Sequence, residues 1–88
     1  MYSSSTVVRS QTGLHARPAA ELVQAAKGCP GTVTVRNVST GGAPVNAKSL
    51  LSIMGADFTC GSIIEVAADG ECEQVVVDAV IALVDADT

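Results

Sequence analysis

Hydrophobic and polar positions alternate along this chain in short runs that predict four strands and three helices. Thr6-Val7-Val8-Arg9 is a β-prone run and reads as the first strand. Beyond Gly13, the residues Ala19, Leu22, Val23 and Ala26 recur at i, i+3, i+4 and i+7. That is the stripe of an amphipathic helix, and it predicts a helix from about Ala16 to Lys27. Gly28 suits the left-handed position after a helix end, and Pro30 bars continuation. Thr32-Val33-Thr34-Val35-Arg36 alternates strictly and predicts a strand with its valines turned inward. A turn cluster from Ser39 to Gly42 leads into a weaker return strand. There Ala43, Val45 and Ala47 alternate with Pro44, Asn46 and Lys48, and Pro44 assigns the strand to a sheet edge.

Ser49 stands just before Leu50, Leu51, Ile53 and Met54, the signature of a helix N-cap. Gly55 keeps that second helix short. Ser62-Ile63-Ile64-Glu65-Val66-Ala67 predicts the next strand, and Asp69-Gly70 a turn. Val76, Ala79, Val80 and Leu83 then recur at helical spacing. Val75-Val76-Val77 is β-prone by itself, but the pattern runs to about Val84, too far for one strand of so small a sheet. Asp69, Glu71 and Glu73 also suit a helix N-terminus. The order is β-α-β-β-α-β-α, a two-layer α/β sandwich with three helices on one face of four strands. The central hairpin makes at least part of the sheet antiparallel. With 88 residues and no repeat or linker, one domain over residues 1–88 is expected.

Composition narrows the picture. Hydrophobic residues make up 48% of the chain and aromatic ones only 2%, so the core must be built from Val, Ala, Leu and Ile. A net charge of −4 argues against nucleic-acid binding, which needs clustered Lys and Arg. No apolar run reaches the length of a membrane span, so no membrane insertion is expected. Met1-Tyr2-Ser3-Ser4-Ser5 lacks the charged and apolar regions of a signal peptide, which predicts a cytoplasmic location. The three cysteines, Cys29, Cys60 and Cys72, are odd in number and lack a C-x-x-C spacing. Free thiols are expected from them, and no metal site.

The candidate chemistry centres on His15, the single histidine. It precedes Ala16-Arg17-Pro18 where a loop feeds a helix, and proline is favoured in a first helical turn. The amides of Ala16 and Arg17 would lack intrahelical partners there. Free amides, the positive end of the helix dipole and the Arg17 guanidinium would then converge beside one imidazole. Such a place can hold a phosphoryl group on nitrogen.

Gly13-Leu14-His15-Ala16-Arg17-Pro18-Ala19-Ala20 resembles the active-site segment of the HPr family, the histidine phosphocarriers of the bacterial phosphoenolpyruvate-dependent sugar phosphotransferase system. Asn46-Ala47-Lys48-Ser49-Leu50-Leu51 resembles the family's regulatory segment. The resemblance covers essentially the whole chain and implies an α+β, open-faced sandwich, a four-stranded antiparallel sheet covered on one face by three helices. It implies that His15 accepts a phosphoryl group on Nδ1 from phospho-Enzyme I and passes it to the IIA domain of a sugar-specific enzyme II, without a cofactor. The chain would thus be a phosphorylated intermediate rather than an independent enzyme. Arg17 would supply positive charge, with the backbone of Ala16 and Arg17 holding phosphate. Leu50, Leu51 and Met54 on the second helix, with Gln24 and Lys27 on the first, would form the face shared by partners. Ser49 caps its helix; in some bacteria a dedicated HPr kinase/phosphorylase also phosphorylates the corresponding serine, and in others that serine is present but unmodified. A monomer is expected. The alternative is the same carrier chemistry, or a regulator, in a nitrogen-regulatory or dihydroxyacetone-kinase phosphorelay. Two departures stand out: Asp57 replaces the family's usual glycine near the site, and Gln24 and Ser52 replace common basic residues.

Overall fold

The computed structural model describes residues 1–10, 13, 16–56 and 58–86. Its elements are β1 (Tyr2–Val7), α1 (Ala16–Lys27), β2 (Thr32–Asn37), β3 (Val45–Asn46), α2 (Leu50–Gly55), β4 (Ile63–Asp69) and α3 (Glu73–Ala86). The strands form one sheet in the order β1-β4-β2-β3, with every pairing antiparallel. The strand formed last in the chain therefore sits inside the sheet, between β1 and β2. Its register sets Val35 opposite Val66 and Val33 opposite Ala68, and all four are buried. On the other face Arg36 stands opposite Glu65, with Nε 3.4 Å from Oε1. Both side chains are more than a third exposed, so this ion pair contributes little. The sheet is thus closed by helices on its valine face and open on its threonine face.

β1 begins earlier than its apolar residues suggest. Predicted over Thr6 to Arg9, it runs from Tyr2 to Val7, and Val8 lies buried beyond it. Three of its residues are serines, which give no hydrophobic alternation. What holds it is the ladder to β4 and polar ties to α3. The Tyr2 hydroxyl donates to Asp78 Oδ1 at 3.1 Å, the Thr6 hydroxyl donates to Asp85, and Arg9 Nη1 donates to the same carboxylate at 3.1 Å. The hydrogen bond to Asp78, then its negative charge, holds the Tyr2 phenol above the ordinary value of 10.0.

The helices close the core. Ala19, Leu22, Val23 and Ala26 of α1 are all buried, as their spacing predicts. In α3 the buried stripe is Val76, Val77, Val80 and Val84; Ala79 is exposed and Leu83 only half-buried. The helix is rotated from the expected face because adjacent Val76 and Val77 share the line of contact with the sheet. Gly28 is not left-handed. Instead its amide donates to the Ala25 carbonyl and the Cys29 amide to that of Ala26, both at 3.2 Å, a tightened last turn. The return strand shortens to Val45–Asn46, although the Ala47 amide still donates to the Val33 carbonyl at 2.9 Å. Among the described residues no helix is long and apolar enough to cross a membrane.

Cys29 and Cys72 are joined by a disulfide with Cα atoms 5.8 Å apart, which corrects the expectation of free thiols; Cys60 alone is free. The partners lie 43 positions apart, so only the tertiary fold brings them together. Near the bridge, Gly31 packs against the turn after β4: a Cβ there would run into the Asp69 carbonyl oxygen. Gly31→Ala should therefore destabilise the fold by about 1–3 kcal/mol. Thermal unfolding followed by circular dichroism checks this, and an unchanged midpoint would contradict the close approach.

Candidate functional site

Ahead of α1, Gly13 is pinned by its own backbone. Gly13 is buried, has a φ of 72°, and donates its amide to the Ser10 carbonyl at 3.0 Å. A Cβ at this position would run into the Phe58 carbonyl oxygen and lie 3.1 Å from Thr59 Cα. A positive φ and a backbone neighbour each exclude other residues, so glycine is required here. Phe58 itself is only 3% exposed and belongs to the core. Gly13 is thus seated on the segment between α2 and β4. Periodicity does not single out Phe58; its being the one phenylalanine of the chain is the signal that could.

The backbone of α1 begins at Ala16, which places Ala16 and Arg17 in the first turn. Amides in that turn have no carbonyl four residues earlier within the helix. The aligned peptide dipoles make this end positive, equivalent to roughly half a charge. Pro18 is buried in the same turn. His15 and Asp57, and the side chains of Ala16 and Arg17, lie outside the described residues.

α2 packs beside α1. Ser49 is extended, with φ −112° and ψ 114°, and its hydroxyl accepts from the Ser52 amide at 3.3 Å. This is the predicted N-cap. The six residues of α2 divide unevenly: Ile53 is fully buried, while Leu50, Leu51 and Met54 are 38%, 86% and 46% exposed. On α1, Gln24 and Lys27 also face solvent, together with Ala20. The structure therefore brings all five predicted interface residues onto the exposed sides of two neighbouring helices. Lys48 is different. Its Nζ donates to the Gly31 carbonyl at 2.7 Å and ties the start of α2 to β2.

Comparison with known proteins follows this geometry closely. The family model for the phosphorylation site of the phosphotransferase-system HPr component matches residues 2–86. The phosphocarrier protein HPr of Haemophilus influenzae is 39% identical over 84 residues, covering 96% of this chain and 95% of that protein. A multiphosphoryl transfer protein of the same organism is 34% identical over 79 residues, covering 90% of this chain but 16% of that longer protein. The crystal structure of HPr-C-His from Thermoanaerobacter tengcongensis superposes with a TM-score of 0.89 at 31% identity, covering 99% of this chain and 94% of that one.

Ser49→Ala removes an acceptor from the α2 N-terminus and should cost about 0.5–2 kcal/mol. Denaturant unfolding of the variant checks this; a midpoint equal to that of the unmodified chain would show that the hydroxyl contributes no capping energy.

Proposed function

The chain belongs to the HPr family of phosphotransferase-system phosphocarriers, and from that premise we propose that it takes a phosphoryl group from phospho-Enzyme I onto His15 and delivers it to the IIA domain of a sugar-specific enzyme II in the cytoplasm. The observation that carries this reading is the start of α1 at Ala16, immediately after the one histidine of the chain. The agreement of fold and family over residues 2–86 supports it.

The chemistry follows from that placement. Imidazole has a reference pKa of about 6.5, so a large neutral fraction exists at physiological pH. The neutral ring offers a lone pair on Nδ1. That lone pair forms the new P–N bond as the bond from phosphorus to the Enzyme I donor atom breaks, and that donor atom keeps its electron pair. A helix N-terminus opposes a positive imidazolium and favours the dianionic phosphoryl group. Each such dipole contact is worth about 0.3–1 kcal/mol, rising to roughly 2 in partly buried geometry. That is enough to bias transfer without trapping the group. The transition state spreads charge over the peripheral oxygens, so positioned donors carry most of the acceleration. Arg17, with a forked guanidinium, is the residue suited to meet those oxygens.

Leu50, Leu51 and Met54 form the docking surface for both partners, with Gln24 and Lys27 beside them. Phosphorylation of Ser49 by an HPr kinase/phosphorylase would add charge next to this apolar surface. The added oxygens would still accept from the α2 amides, so the modification should block docking and leave the helix folded.

Two outcomes test the reading. With Enzyme I and labelled phosphoenolpyruvate, the unmodified chain should take up phosphate, and His15→Ala should take up none while unfolding at the same temperature. Labelling of His15→Ala would overturn the assignment. Leu51→Glu should weaken Enzyme I binding by about tenfold or more in calorimetric titration, again with little change in stability. Equal affinity would remove Leu51 from the interface.

A further inference from the structure

We propose that Cys29 and Cys72 form a thiol–disulfide exchange site, a reversible clamp between the end of α1 and the start of α3 that small-molecule thiols open at Cys72. The two residues are held in register by the backbone around them and not by the bond alone. Gly31 lies two residues beyond Cys29, and Gly70 two residues before Cys72. A Cβ built on Gly70 would sit 3.0 Å from Gly31 Cα, so the two segments touch without side chains between them. The same position is 4.0 Å from Cys29 Sγ. Cys72 is fixed from its other side, because its carbonyl accepts from the Val76 amide at 2.9 Å as α3 begins. A Cα separation of 5.8 Å is within the normal span of a disulfide. Reduced thiols would therefore stay close, and reclosure would be intramolecular and fast.

The two cysteines differ in exposure. Cys29 is 1% exposed, whereas Cys72 is only half-buried. A shallow apolar depression of about 180 Å³ opens over the pair, walled by Ala25, Val75 and Ala79, with Val75 72% exposed. A thiolate of the glutathione class can reach Cys72 Sγ there. It forms a mixed disulfide on Cys72 and releases Cys29 as a thiolate into the interior. A second thiolate then attacks the sulfur of the bound small molecule and frees Cys72. In sum, two small thiols are oxidised to one small disulfide while the protein disulfide is reduced by two electrons. In the reverse direction a low-molecular-weight disulfide is the oxidant: Cys72 attacks it, and Cys29 displaces the remaining small thiol. Closing the bridge constrains 43 positions of the unfolded chain, so it should raise the unfolding temperature.

The test uses the full chain carrying Cys60→Ser, which leaves only the pair, equilibrated in buffers from reduced to oxidised glutathione. Mass spectrometry and alkylation should show two thiols under reduction. Under oxidation they should show loss of two hydrogens and no thiols. The unfolding temperature should rise with oxidation by on the order of 10 °C. Addition of Cys72→Ala should abolish that rise. Two alkylatable thiols at every ratio would overturn the proposal. So would a lasting glutathione adduct in place of the internal bridge, or a temperature shift that survives Cys72→Ala.

Discussion

The buried stripe of α1 is the contact on which the rest of the molecule depends. Ala19, Leu22, Val23 and Ala26 hold the helix against the core, and in doing so fix where its first turn begins. The two ends of the helix are held by different means. At its start, Gly13 rests backbone-to-backbone on Phe58 and Thr59. At its end, the tightened turn through Cys29 is bridged to the start of α3. Phosphoryl transfer depends on position more than on covalent machinery, so a short helix fixed along its length suits a carrier better than a mobile loop would.

α2 shows how the same fold leaves apolar side chains outside the core. One apolar side chain, Ile53, is fully buried and anchors the helix. Leu51 remains 86% exposed, although burying a leucine is worth about 1.5–3 kcal/mol. A six-residue helix cannot turn all of its apolar residues inward. The Ser49 cap offsets part of the cost by satisfying an amide that the short helix cannot. What remains outside is a small apolar surface beside the exposed side of α1.

Much of this was legible in the residues. The stripe of α1, the Val–Thr alternation of β2 and the Ser49 cap each follow from local periodicity or local hydrogen bonding, and each stands where it was expected. The failures have a common origin in contacts that local patterns do not encode. β1 is a polar edge strand held by its ladder and by α3, so its serines carried no signal. The face of α3 was set by docking, which favoured Val77 and Val84 over Ala79 and Leu83. The Cys29–Cys72 bridge spans most of the topology and has no spacing rule. The candidate site divides in the same way. His15 and Arg17 were singled out by a motif, whereas the seat that Phe58 provides for Gly13 is a tertiary contact.

Phosphorus-31 NMR of the enzymatically phosphorylated protein measures the proposed P–N bond on the imidazole directly. A single acid-labile phosphoramidate resonance, with the modification mapped to the peptide that contains His15, is the expected result. An acid-stable phosphoester, or a phosphoryl group on any other residue, would contradict it.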